Sequence, residues 1–396
     1  LTFVSCIAPH RAQARTAWPM RKMVSSVGHH CQSSRRPSRT TEVASATAPI
    51  TRPTGQGCQA RWESVDMSLP VQLQGRLRLP VVASPMFLAS GPELVIGACR
   101  AGVLGTFPAL NQRTTEGFEE WLTQIDEALA APADPGAPEP APYGVNLIVH
   151  RTNQRIEADL ERIVAHEVPL VITSLGAASE VVDAVHSYGG LVFHDVTGAK
   201  HAEKAAEAGV DGIIVVAAGA GGHAGGINPF ALVADVRRVW DGTLLLAGAL
   251  STGRDVLAAQ AAGADLAYMG TRFLATTEAT VSDGYKEMLT THTAQEIVYT
   301  PSISSIPASF LRGSIVAAGL DPERLAQPEK VDLHHVTNPH ASEAKEHKAW
   351  RDIWSAGQGV AAIDDVVPVA QLVDRLADEY EQAKGDLLAV LGEAQA

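Results

Sequence analysis

The chain has 396 residues, 46% of them hydrophobic, and a formal net charge of −13. This length predicts about one to three domains with a large core, and the negative charge disfavours nucleic acids and anionic membranes as partners. No apolar run reaches the ~18 residues that a membrane-spanning helix needs, so we expect no membrane segment.

Residues 1–66 differ in composition from the rest of the chain. They are rich in Arg, Ser, Thr and Pro, lack hydrophobic periodicity and contain Cys6, Cys31 and Cys58. We expect a disordered leader, either an extension that the working protein lacks or an organelle transit peptide. The remainder is acidic and contains Cys99 alone. It cannot form an internal disulfide, so we expect a cytoplasmic protein.

From residue 79 onwards, short apolar segments alternate with helical patterns at a spacing of ~20–25 residues, as in βαβ units. The predicted strands are 80–84, 103–106, 144–149, 170–173, 191–194, 213–216, 244–248 and 265–269. The predicted helices are 92–100, 115–129, 153–167, 178–187, 198–208, 229–239 and 253–262. A proline-rich surface loop is expected at 131–142.

The number and order of these elements predict the fold class. Eight strands that alternate with helices close a (β/α)₈ TIM barrel, and an open doubly wound sheet is the alternative. No GxGxxG follows the first strand, which disfavours a dinucleotide-binding sheet. We therefore predict an α/β protein with a TIM barrel.

The alternation of strand and helix patterns ends after residue 271. Residues 277–350 contain helical and turn patterns, which predict a small helical insertion on the substrate side of the barrel mouth. An amphipathic pattern over 369–383 predicts a helix that closes the barrel. The predicted divisions are the leader (1–66), the barrel strands (67–276), the insertion (277–350) and a C-terminal segment (351–396).

The segment 209–230, GVDGIIVVAAGAGGHAGGINPF, joins a buried strand to residues 217–226, which we call the glycine loop. Its bare backbone can lie against a flat ligand, and His223 can exchange a proton near neutral pH. The alternative interpretation is a mobile loop with a solvated histidine.

Functional residues of a TIM barrel follow the strands at one end. The positions selected by this rule are Ser84, Pro85, Met86, Thr106, Asn146, Ser174, His194, the glycine loop with Gly221 and Gly222, Gly248, Ala249, Gly270 and Thr271. The two loops after strands seven and eight offer backbone N–H groups and the Thr271 hydroxyl to a phosphate. Tight turns that need glycine for geometry are the alternative.

Three of these positions allow two interpretations. Asn146 could bond a ring amide of a ligand or the neighbouring strand's loop. His194 could line the pocket or pair with Asp195. Met86 could pack in the core, and its backbone is a better candidate for a ligand contact than its side chain. There is no HExxH, Walker A lysine or GxSxG, so neither a metal site nor a catalytic triad is predicted.

Five segments together resemble the nitronate monooxygenases, formerly called 2-nitropropane dioxygenases. They are PVVASPM (80–86), GVN (144–146), AGGHAG (220–225), MGTRF (269–273) and AGQG (356–359). The resemblance covers residues 69–383 and implies an FMN-binding TIM barrel. It implies that His223 is catalytic, that Met86, Asn146, Gly248, Gly270 and Thr271 contact FMN, and that Gln358 and Gly359 reach the cofactor by position.

The resemblance implies a flavin-dependent monooxygenase that oxidises alkyl nitronates, and nitroalkanes as a further class, to a carbonyl compound and nitrite. Its partners are then the nitronate and dioxygen, and a homodimer is a further expectation. One departure is Gly219, where many relatives carry Glu. The GGH loop is shared with NADH-dependent flavin reductases of quinones or enoyl thioesters, which are the main alternative. A non-flavin enzyme acting on a phosphorylated metabolite and a non-catalytic FMN-binding barrel are the others.

Overall fold

Parallel strands pair in a ring at the centre of the structure, with helices between them along the chain. The computed structural model describes residues 69–131, 138–176, 179–326 and 349–393. The predicted leader, much of the predicted proline-rich loop, residues 327–348 of the predicted insertion and the last residues of the C-terminal segment lie outside this part of the chain.

The strands and helices have the following bounds. The strands are β1 (Val81–Ala83), β2 (Leu104–Pro108), β3 (Tyr143–Ile148), β4 (Leu170–Ser174), β5 (Leu191–Val196), β6 (Gly212–Val216), β7 (Gly222–His223), β8 (Thr243–Ala247), β9 (Leu266–Met269), β10 (Ile297–Thr300) and β11 (Ala308–Leu311). The helices are α1 (Pro92–Ala101), α2 (Thr115–Ala130), α3 (Ile156–Ala165), α4 (Ser179–His186), α5 (Ala199–Glu207), α6 (Pro229–Arg237), α7 (Gly253–Ala262), α8 (Thr271–Leu274), α9 (Asp283–Thr291), α10 (Arg312–Ala317) and α11 (Val369–Glu393). Short 3₁₀ helices span Ala109–Asn111, Ala294–Glu296 and Gln358–Ala362.

The barrel closes in the order β1-β2-β3-β4-β5-β6-β8-β9, and β9 pairs in parallel with β1. All eight predicted strands are present, and the predicted TIM barrel is confirmed. The side chains alternate as the two-residue repeat of a strand requires. Val82, Ile172 and Phe193 belong to a cluster inside the barrel, whereas Val81 and Val171 pack on the side of the helices.

Helix α7 has the bounds that its sequence predicts because both ends carry local signals. Thr252 and Asp255 form a capping box, in which each side chain accepts a backbone N–H of the other residue. At the other end, Gly263 has φ of 108°, the left-handed conformation that ends a helix.

Helix α11 closes the barrel as predicted and extends ten residues beyond the predicted end, to Glu393. Its Val369, Leu372 and Leu376 pack with Leu94 of α1 and Val256 of α7. Among the described residues, no helix is long and apolar enough to cross a membrane.

The region predicted to be a helical insertion contains α9 and α10 and also two strands. β10 pairs with β11 in an antiparallel hairpin, and β11 pairs with β7 of the glycine loop. The helical prediction was incomplete because residues 297–300, Ile-Val-Tyr-Thr, favour a strand. The next strand along the chain, β11, pairs with this segment.

Candidate active site

The carboxyl ends of the barrel strands open into a large cavity of about 1430 Å³. Residues at the ends of all eight barrel strands contribute to its wall, together with residues of the insertion. The topological rule for TIM barrels therefore selects the correct end. The predicted site residues that line the cavity are Met86, Asn146, Ser174, Gly221, Gly222, His223, Gly248, Ala249, Gly270 and Thr271.

His223 is held on two sides within this wall. It belongs to β7, where its backbone pairs with Ala308 of β11. Its ring lies edge-on to Trp350, with the ring centroids 5.3 Å apart and the planes at 87°. These contacts fix the histidine more firmly than the interpretation of a mobile glycine loop would allow.

Ser355 anchors the loop immediately before His223. The Gly222 N–H donates to Ser355 Oγ at 2.6 Å, and this hydroxyl donates to Ser309 O of β11 at 2.7 Å. The Ser355 N–H donates to the Tyr285 hydroxyl at 3.1 Å. Ser355 therefore joins the glycine loop to the insertion, a role that nothing in the local sequence around Ser355 indicates.

Close packing explains Gly221 and Gly225 of this loop. A Cβ at Gly221 would lie 2.9 Å from Gly357 N, and one at Gly225 would lie 2.7 Å from Val216 O. Gly219 has φ of +89°, and a Cβ there would lie 3.1 Å from Gln358 Oε1. A glutamate at this position would have to adopt a left-handed backbone conformation that favours glycine.

The two loops predicted to hold a phosphate face the cavity, but some of their donors already have partners. The Ala249 N–H donates to Gly219 O at 3.2 Å. Thr271 Oγ accepts the Gly357 N–H at 2.8 Å, so its hydroxyl hydrogen is what remains to donate. Gly270 approaches Ser84 so closely that a Cβ would lie 2.6 Å from Ser84 Oγ.

Asn146, Ser174 and Asp195 form a hydrogen-bonded row across the ends of β3, β4 and β5. Asn146 Nδ2 donates to Ile172 O at 3.1 Å and to Ser174 Oγ at 2.8 Å. Ser174 Oγ donates to Asp195 Oδ2 at 2.7 Å. Asn146 therefore bonds the neighbouring strand, which was one of its two predicted roles.

Asp195 is a cavity residue that the sequence did not single out as a site residue. Its Oδ1 is buried and has no hydrogen-bond partner among the described residues. Burial raises the pKa of Asp195 to about 6, and the Ser174 hydrogen bond opposes this rise. Its place at the end of β5 was the signal that could have identified it.

His194 lines the cavity but is bonded to Thr173, not to Asp195. Its Nδ1 lies 2.7 Å from Thr173 Oγ1, so of its two interpretations the geometry agrees with a residue that lines the pocket and not with a pairing to Asp195. In β5 successive side chains point to opposite faces, which separates these two neighbours. Burial and the nearby His201 lower the pKa of His194 to about 4, so the ring is neutral at pH 7.

The hydrogen bonds of Met86 and the position of Gln358 differ from what their predicted ligand contacts require. The Met86 N–H donates to Ser90 Oγ at 3.0 Å and its carbonyl accepts from Asn111 Nδ2 at 3.1 Å. The side chain of Met86, and not its backbone, is therefore what it offers to a ligand. The Gln358 side chain is exposed and lies outside the cavity wall, whereas its N–H donates to Gly219 O at 2.8 Å.

Backbone strain is concentrated around the cavity. Leu88, Leu175, Ala249 and Trp350 line it and have φ values of 60°, 63°, 58° and 71°. Each non-glycine residue in this conformation costs about 1–3 kcal/mol and persists only where its surroundings hold it. Such strain is common at functional sites.

The sequence model of the nitronate monooxygenase family matches residues 73–379. A nitronate monooxygenase of Paraburkholderia phytofirmans is 28% identical over 77% of this chain and 93% of its own length. A (3aS,4S,5R,7aS)-5-hydroxy-7a-methyl-1-oxo-octahydro-1H-indene-4-carboxyl-CoA dehydrogenase of Rhodococcus jostii is 30% identical over 60% of this chain. The matched region spans 64% of that relative, less than two thirds of its length.

Solved structures of similar fold extend over most of the chain. A nitroalkane oxidase of Streptomyces ansochromogenes has a TM-score of 0.65 and 26% identity, covering 80% of this chain and 99% of its own. FabK of Thermotoga maritima has a TM-score of 0.65 at 23% identity over 81% of this chain and 97% of its own, a likeness of fold alone. Because the family model extends over most of the chain, around a cavity that contains the GGH histidine, this chain belongs to the nitronate monooxygenase family of flavin-dependent monooxygenases.

Proposed function

We propose that this chain uses FMN and dioxygen to oxidise alkyl nitronates, and nitroalkanes as a further class, to a carbonyl compound and nitrite. The observation that carries the proposal is the position of His223. It lies in the wall of a cavity that is also formed by the bare backbone of Gly222, Gly248 and Gly270. Family membership supports flavin chemistry, and the choice of FMN rests on the site residues.

The residues of the cavity fit a flavin. A Cβ at Gly222 would meet nothing within 4 Å, so this backbone faces open space. The buried Oδ1 of Asp195 is an acceptor without a partner among the described residues. A flavin ring carries an N–H donor of the matching kind, and burial of an unpaired acceptor is costly.

A phosphate would bind at the loops after β8 and β9. The Thr271 hydroxyl hydrogen is free to donate because Gly357 uses only an acceptor lone pair of that oxygen. Gly248 and Gly270 line this end of the cavity with backbone alone. This arrangement supports FMN, which carries a terminal phosphate, over a flavin without one.

When bound, the flavin would supply the oxidation, with dioxygen as the final oxidant. His223 would act on the substrate. A protonated His223 stabilises the negative charge of a nitronate, and a neutral His223 can accept the α-proton of a nitroalkane. Trp350, in contact with the ring of His223, restricts its orientation.

The experiment that tests this proposal begins with the visible spectrum of the purified protein. We expect flavin absorption, release of FMN on denaturation, and nitrite from propionate 3-nitronate or alkyl nitronates in air. A colourless protein that also fails to bind added FMN would contradict the cofactor proposal. A yellow protein that releases no nitrite from any of these compounds would contradict the reaction.

A second candidate is an NADH-dependent flavin reductase of quinones or enoyl thioesters. The Rhodococcus relative, named as a dehydrogenase of a carboxyl-CoA thioester, favours it. Anaerobic addition of NADH distinguishes the two, because rapid bleaching of the bound flavin supports the reductase. The cytoplasmic location, the homodimer and the domain divisions remain predictions.

A further inference from the structure

We propose that the cavity beside His223 binds an extended apolar tail of the substrate, and that Trp350 is the residue that selects this tail. This inference rests on the proposed oxidation of nitronates and names a substrate class for it. It concerns the wall that the insertion adds to the barrel, beside the glycine loop.

The volume of the cavity is the first argument. About 1430 Å³ is available, whereas a pocket for one drug-sized ligand measures ~300–1,000 Å³. A bound flavin therefore leaves space for a second ligand of considerable size. A nitronate with a two- or three-carbon chain would fill only a small part of that space.

The chemical character of the wall is the second argument. Tyr299, Pro307 and Trp350 line the cavity next to the glycine loop. The Tyr299 hydroxyl donates to Ala224 O at 2.9 Å, and Pro307 O accepts the Ala224 N–H at 3.3 Å. Because these polar groups already have partners, the rings are what the wall offers to a substrate. An apolar tail gains free energy in proportion to the area that it buries there.

Trp350 is fixed at the centre of this wall. Its ring stacks on the buried Phe310 at 5.2 Å and touches His223 with its ring plane at 87° to the imidazole. The backbone N–H of Trp350 donates to Ile353 O at 2.9 Å. A large side chain is held here with φ of 71°, a conformation that favours glycine. These contacts hold the strained backbone so that the indole remains beside the catalytic imidazole.

A charged tail is the competing possibility within the same cavity. His201 and Lys204 of α5 also line it, and both are exposed. They would favour a substrate with a second negative charge, such as propionate 3-nitronate. Arg351 also lines the cavity, and its guanidinium is paired with Asp352. Tyr299, Pro307 and Trp350 contact the glycine loop directly, and we therefore infer an apolar tail.

The test is a series of primary alkyl nitronates from ethyl to octyl, with propionate 3-nitronate alongside. We expect kcat/KM for nitrite release to rise about threefold to fourfold for each added methylene group, because KM falls as the tail buries more apolar area. Trp350→Gly, which suits the backbone conformation, should lower kcat/KM for octyl nitronate about tenfold more than that for ethyl nitronate. Trp350→Phe should retain most of the preference.

Phe230→Ala is the matched control, because Phe230 is an exposed aromatic residue, 66% accessible, outside the cavity wall. It should leave the chain-length dependence unchanged. Calorimetric binding of alkyl carboxylates, which are planar anions like nitronates, gives a readout without turnover and should follow the same series.

The outcomes separate the two proposals. Absence of nitrite from every nitronate overturns the proposed function. Nitrite release with equal kcat/KM from ethyl to octyl, or a preference for propionate 3-nitronate over all alkyl nitronates, overturns the apolar tail. An equal loss for all chain lengths in Trp350→Gly and Trp350→Phe overturns the role of Trp350.

Discussion

The Gly222 N–H donates to Ser355 Oγ at 2.6 Å, across 133 positions of the sequence. This hydrogen bond connects the residue before His223 to the segment that returns from the insertion. The position of the candidate catalytic group thus depends on residues far from the barrel loop that carries it.

Ser355→Ala should reduce turnover while flavin binding is retained. The substitution leaves the Gly222 N–H without its acceptor, which costs about 1–3 kcal/mol and loosens the loop. We expect kcat to fall about tenfold. Flavin content and nitrite release are the measurements. Ser355→Thr, which keeps a hydroxyl, is the control, and equal loss in both variants would contradict the role of this hydrogen bond.

His223→Asn should keep the bound flavin and lose most of the activity. Asparagine can still form hydrogen bonds but cannot exchange a proton near neutral pH. We expect kcat/KM for nitrite release to fall about 100-fold or more. His194→Asn is a useful comparison, because His194 lines the same cavity and is bonded to Thr173. An unchanged kcat/KM in His223→Asn would remove His223 from the mechanism.

Thr271→Asp should purify without colour. The new carboxylate would lie beside the proposed phosphate and repel it, and FMN affinity should fall. Thr271→Ser retains the hydroxyl that accepts the Gly357 N–H and should remain yellow. The ratio of flavin absorption to protein absorption measures the flavin content of both variants. Full flavin content in Thr271→Asp would place the phosphate elsewhere.

Asp195→Asn should stabilise the folded chain, and by more at higher pH. Burial raises the pKa of Asp195 from 3.8 to about 6. Its protonated form therefore favours folding below pH 4, and this contribution is lost as the pH rises to about 6. Between pH 4 and pH 6 the free energy of unfolding of the variant should rise by about 2–3 kcal/mol relative to that of the parent. Above pH 6 the difference should stay constant.

Denaturant unfolding of both proteins in their flavin-free form, from acid to neutral pH, measures this difference. Since the other titrating groups are common to both proteins, their contributions cancel. A difference independent of pH would mean that Asp195 ionises in the folded chain as easily as in water.

Gly253→Ala should destabilise the barrel, whereas Gly385→Ala should stabilise it. A Cβ at Gly253 would lie 2.1 Å from Leu376 O, where α7 meets α11. The loss should be about 1–3 kcal/mol. Gly385 lies within α11, and nothing lies within 4 Å of its Cβ position. Alanine at this position should therefore raise the free energy of unfolding by about 0.5–1 kcal/mol. Thermal unfolding measures both.

The sequence predicts the barrel because its signals are local. The apolar runs define the eight strands, and the capping box at Thr252 and Asp255 defines the start of α7. The parallel order of the strands then brings Asn146, Ser174, Gly248 and Gly270 to one end. Most of the candidate site follows from that topology.

The remaining features depend on contacts between distant residues. The pairing of β7 with β11 and the hydrogen bond of Ser355 leave no periodic pattern in the sequence. The position of Asp195 at the end of β5 could be predicted, but its burial and the lack of a partner for Oδ1 among the described residues could not. Strain at Trp350 likewise arises from its neighbours and not from its own propensity.

The pairing of His223 with Ala308 makes the imidazole a strand side chain in a small antiparallel sheet. Side chains alternate between the two faces of such a sheet, so a slip of one residue would turn the imidazole to the opposite face. A chimaera that exchanges the β10–β11 hairpin must therefore preserve this register. An insertion of a single residue before Ala308 would abolish the activity that depends on His223 while leaving every barrel strand intact.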